Sequence, residues 1–82
     1  MAKFISRKNP VSARSLKRRS IGAVVVHHHG NWEDVKFTRV EGGWKRERTD
    51  FAGLRPEVVS SVAVARECNS AAGCAQSWAK VY

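Results

Sequence analysis

Eighty-two residues, 43% of them hydrophobic and 27% charged, suffice for one small domain and are too apolar for a chain that stays wholly unfolded. Fifteen Lys and Arg against seven Asp and Glu leave a net charge of +8, so the expected partner is a polyanion: nucleic acid first, an anionic membrane surface second, an acidic protein third. No apolar run approaches the roughly 18 residues that a spanning helix requires, and the N-terminus lacks a secretory apolar segment. A cytoplasmic protein with reduced thiols and no membrane span is expected.

Residues 1–20 (MAKFISRKNPVSARSLKRRS) scatter Phe4, Ile5, Val11 and Leu16 at neither a helical nor an alternating period. Asn9-Pro10 interrupts any helix across the middle. The expectation is an extended basic arm over 1–20, followed by a small α+β domain over 21–82. The charge follows the same division. Lys3, Arg7, Lys8, Arg14, Lys17, Arg18 and Arg19 lie in the first 32 residues with no Asp or Glu, whereas the other eight cations meet all seven acids, a net of +1.

Ile21 to His27 (IGAVVVH) is a short continuous apolar run, as in a strand covered on both faces. His28-His29-Gly30-Asn31 then supplies turn chemistry. The stretch from Trp32 to Asp50 carries two strands joined at Glu41-Gly42-Gly43, with Val35, Phe37, Val40 and Trp44 as β-branched and aromatic surface. A three-residue loop would set Val40 opposite Trp44. Lys36, Thr38, Arg46 and Arg48 would then share an outer basic face, and Val35 and Phe37 would point to the core. A slip of one residue reverses the second strand. These segments make a three-stranded antiparallel meander.

The following helix has two possible starts. Pro56-Glu57 suits a first turn, and Ser60 or Ser61 suits an N-cap, with Val58-Val59 left extended. Val58, Val62, Ala65 and Ala72 lie near one helical stripe with Cys68 beside it, and Gly73 is a candidate stop. Ser77 to Tyr82 alternates as a fourth, edge strand does, although Trp78, Val81 and Tyr82 also fit a helical face. The predicted fold is thus α+β: a small three-stranded meander with a possible C-terminal edge strand, packed on one helix, with an extended arm.

The arm carries the clearest functional signal. Each of its cations can neutralise a phosphate and release counterions, and arginine suits planar contacts to phosphate or guanine edges. Lys36, Lys45, Arg46 and Arg48 extend this surface along the hairpin. Trp44 among them is either a platform for unpaired bases or, with Phe37, core. The Gly-Phe spacing of an RNA-recognition aromatic box is absent.

His27, His28 and His29 with Cys68 and Cys74 do not match zinc-site spacings, since the cysteines stand in a C-x5-C pattern, and no metal or cofactor is expected. Neither helical geometry nor compartment favours a disulfide. No nucleophile elbow, phosphate-cradling loop or paired carboxylates in an apolar setting points to catalysis. The sequence therefore suggests a non-enzymatic accessory nucleic-acid-binding protein, for which DNA and RNA fit equally. The alternative is an interaction module, of the phage or mobile-element type, that docks on a host protein or ribonucleoprotein. Membrane-surface binding through Phe4, Ile5 and the arm cations is a third reading, without the amphipathic period it needs.

Overall fold

The computed structural model describes residues 3–30, 32–48, 55–71 and 77–82. Strands β1 (Lys3–Ile5), β2 (Val24–His29), β3 (Trp32–Val40), β4 (Gly43–Arg48), β5 (Glu57–Val59) and β6 (Ser77–Val81), with helices α1 (Ala13–Lys17) and α2 (Ser61–Ala71), make up the fold. The six strands form one sheet in the order β1-β6-β2-β3-β4-β5, with every pairing antiparallel.

This overturns the expected three-stranded meander under one helix. The β2-β3-β4 meander exists, but it is the middle of a wider sheet. β6 is no edge strand: it lies between β1 and β2. The extended arm is also replaced, since residues 3–17 contribute a strand and a helix. The histidines expected in a turn continue β2, and β3 accommodates them with a bulge where the register shifts between His27 and His28.

Cross-strand partners share a face, so the register sorts the side chains. One face carries Ile5 beside Ala79, Val25 between Val81 and Phe37, and Trp44 beside Val59. Both helices cover it, and Leu16, Val25, Phe37, Trp44, Val64 and Val81 there are at most 1% exposed.

The register of the hairpin decides which residues reach that core. The loop is two residues, Glu41-Gly42, and Gly42 takes a φ of +82°. Val40 therefore pairs with Gly43, and Arg39 with Trp44, one step from the three-residue alternative. Trp44 turns inward as a result. Gly43 must be glycine for a different reason: a Cβ there would stand 2.7 Å from the Val59 carbonyl oxygen on β5.

Helix α2 starts at Ser61, and the Ser60 hydroxyl accepts the Ala63 N–H at 3.1 Å as an N-cap. The start sets the stripe. Ser61, Val64, Ala65 and Cys68 are buried, while Val58 lies on β5 and is 66% exposed and Val62 is 49% exposed. Ala72 and the proposed stop at Gly73 lie outside the described residues, as do Asn31 of the first turn and Asp50 at the end of the hairpin.

With only five residues, α1 is too short to hold itself together. Ser12 caps it by accepting the Ser15 N–H at 3.1 Å, and Leu16 buries fully. Just ahead of it, Asn69 of α2 clamps the backbone of Val11. Its Oδ1 accepts the Val11 N–H at 2.9 Å and its Nδ2 donates to the Val11 carbonyl at 2.8 Å. Asn69→Leu should cost about 1–3 kcal/mol by orphaning these backbone groups, and should speed proteolysis within residues 6–19. Gly43→Ala should destabilise by about as much through overpacking without exposing that segment. Urea unfolding combined with limited proteolysis checks both.

Candidate nucleic-acid interface

The expected contact residues fall on several surfaces. Lys3 opens β1. Arg7 and Lys8 sit exposed in the turn that Ser6 and Asn9 close with mutual backbone bonds of 3.1 and 3.0 Å. Arg14 and Lys17 are exposed on α1, and Arg18 and Arg19 follow at its end, also exposed. Among the described residues, no carboxylate lies within ion-pair distance of Lys8, Arg14, Lys17, Arg18 or Arg19. Lys8, Arg14, Lys17, Arg18 and Arg19 are thus presented to solvent by a folded segment that buries Ile5 and Leu16 in the core.

The hairpin cations do not form the single basic face that a three-residue loop would build. Lys36 is exposed on the face that no helix covers, together with Lys45, which pairs with Glu47 at 3.5 Å. Arg46 and Arg48 point to the helix side instead. Arg46 is engaged by Glu67 of α2 at 3.2 Å and by Glu57 of β5 at 3.6 Å. Trp44 is 0% exposed and its indole donates to the Ser61 hydroxyl at 3.1 Å. No base can reach it, so Trp44 is core and an anchor for α2.

The uncovered sheet face carries an aromatic group that sequence reasoning missed. Trp78 stacks on His28 with centroids 3.7 Å apart and planes 5° from parallel. Its indole donates to the Gly30 carbonyl at 3.2 Å, and Phe4 lies 5.5 Å away on β1. Lys80, opposite Phe4, holds its ammonium 5.0 Å from the Phe4 ring and 4.9 Å from the Tyr82 ring. Phe4 is 57% exposed and Tyr82 48%. The signal that could have found this group is the Trp78-Lys80-Tyr82 alternation. Phe4 joins it only through the pairing of chain ends, which no local pattern records.

The insertion of Phe4 with Ile5 into a membrane is excluded by their opposite faces, since Ile5 is 4% exposed in the core. Among the described residues, no helix is long and apolar enough to cross a membrane, and no three His, Cys, Asp or Glu side chains converge. Cys74 lies outside the described residues. Burial, with Glu67 adjacent, pushes the Cys68 thiol up to about 12, so it stays protonated and inert at neutral pH.

No protein-family model matches this chain, and no curated protein or solved structure is significantly similar to it.

Burial beneath Trp78 holds the His28 imidazole below its ordinary value of 6.5, opposed by Glu33 and assisted by His27 and Lys80. A depressed histidine binds its proton less readily when folded than when unfolded. Its contribution is complete above the unfolded value and is lost as pH falls through the folded one. The thermal midpoint should therefore drop between about pH 7.5 and about pH 5, and His28→Phe, which keeps a ring under Trp78, should flatten that drop. In a Cys74→Ser background, Cys68 should resist alkylation until the protein unfolds, as thiol labelling across a urea series will show.

Proposed function

We propose that this is a non-enzymatic, cytoplasmic nucleic-acid-binding protein that contacts phosphates through the cations of its N-terminal segment. The observation that carries this reading is the exposed group of Arg14, Lys17, Arg18 and Arg19, with no carboxylate in reach among the described residues. Leu16 in the core and the Asn69 clamp hold the segment in place, so the cations converge on a polyanion without first being ordered by it. Lys8 in the preceding turn and Arg66 on α2 are exposed as well. The charged side chains meet phosphates as point or planar contacts, and each phosphate neutralised releases a condensed counterion.

Affinity should therefore fall steeply with salt. In a shift assay with duplex DNA and duplex RNA run in parallel, Arg14→Glu, Lys17→Glu, Arg18→Glu and Arg19→Glu together should abolish binding. Single Arg→Gln changes should lower the slope of log K against log salt by about one each. Binding that stays constant from low to high ionic strength, or that survives the fourfold reversal, contradicts the proposal. Retention of a cellular partner after nuclease treatment would instead favour docking on a larger protein.

A further inference from the structure

The helix layer presents the phosphate-seeking cations, whereas the opposite side of the sheet presents rings. We propose that the uncovered sheet face around Phe4, Lys80 and Tyr82 is a stacking platform for single-stranded nucleic acid. The proposal rests on the nucleic-acid reading above and adds a second surface and a substrate class to it.

Four observations converge. First, the rings are fixed in advance. Trp78 lies flat on His28, its indole N–H is tied to the Gly30 carbonyl at 3.2 Å, and Phe4 packs 5.5 Å from it. Second, the outer rings are open: Phe4 is 57% exposed and Tyr82 48%, a poor state for apolar surface unless something covers it. Third, Lys80 stands between them, about 5 Å from each ring. Its ammonium can take a phosphate while bases stack on the ring faces turned away from it, the pairing of cation and ring that single strands use. Fourth, Trp78 and Lys80 alternate along β6 and Tyr82, bonded through its N–H to the Val24 carbonyl, continues the alternation just past its end, so the residues of this face recur every roughly 6.5 Å and suit an extended strand laid along the sheet.

The charge selects the occupant. Lys36 and Lys80 flank Val26 on this face through the β2-β3 and β2-β6 registers. Among the described residues Lys36, Lys45 and Lys80 outnumber Glu33 and Glu47 on this face, and the chain as a whole carries +8, so self-association is opposed by repulsion. A duplex fits no better, because its base faces are already stacked on one another and only a single strand can offer them to Phe4 and Tyr82.

The test is fluorescence anisotropy with labelled deca-thymidine, deca-uridine and a blunt DNA duplex, followed by amide and indole NMR shifts. Phe4→Ala and Tyr82→Ala should each weaken single-strand binding about tenfold and leave duplex binding by the helix layer within a factor of about two. Phe4→Leu, which retains apolar bulk without the ring, should lose as much as Phe4→Ala, separating stacking from packing. The Trp78 indole and Lys80 amide resonances should shift with either oligonucleotide and not with the duplex. Equal affinity for single strand and duplex with both ring variants silent overturns the platform while leaving phosphate binding intact. Loss of all binding in the unsubstituted protein overturns both readings. Shifts on this face that depend on protein concentration alone would overturn the platform in favour of a dimer.

Discussion

The two hydrogen bonds from Asn69 to the Val11 backbone join the N-terminal segment to the rest of the molecule, and much follows from them. A five-residue helix with a single buried leucine has no stability of its own. Its position is set by the clamp behind it and by Leu16 inserting between α2 and the sheet. The side chain of Asn69 replaces a strand partner for Val11, satisfying a donor and an acceptor that would otherwise be stranded near the core. The same segment carries Ile5 to the covered face and Phe4 to the open one.

Covering a six-stranded sheet with so little helix constrains the rest of the core. The buried stripe of α2 is Ser61, Val64, Ala65 and Cys68, all small, so the helix sits close and its shortfall in volume is met from below by Phe37 and Trp44. Ser61 shows the economy of the arrangement: it is buried, and its hydroxyl takes the Trp44 indole N–H. One contact fixes the first turn of α2 over β4. At the other flank, Arg46 reaches between Glu57 and Glu67, linking β4 to β5 and α2. Such partly buried pairs are worth more for placing elements than for net stability.

Because both helices lie on one side, the two faces of the sheet have different chemistry. The helix layer is charged and presents cations with few acids nearby. The bare face mixes half-exposed rings with Lys36, Lys45 and Lys80 and the acids Glu33 and Glu47. In the proposed function phosphates meet the first surface, and in the further proposal unstacked bases meet the second. The opposing placement separates these surfaces physically, so each can be altered without disturbing the other.

The charge asymmetry and the β2-β3-β4 meander are legible in composition, periodicity and turn residues, which act over a few positions; a serine cap at Ser60 or Ser61 and a strand over Ser77–Tyr82 are legible only as one of two alternatives each. The hairpin register is not legible. Whether Glu41-Gly42-Gly43 closes as two residues or three depends on whether Trp44 finds a core, and on how closely the Val59 carbonyl approaches Gly43. Local propensity allows both. Nor does any local pattern predict that residues 3–17 fold: their apolar residues show no period because each serves a different neighbour, Ile5 the sheet and Leu16 the helix pair. The aromatic face is the extreme case. Phe4 and Trp78 are far apart along the chain and meet only because β6 inserts between β1 and β2, a long-range pairing decided by the burial of Ala79 and Val81 and not by any sequence near either ring.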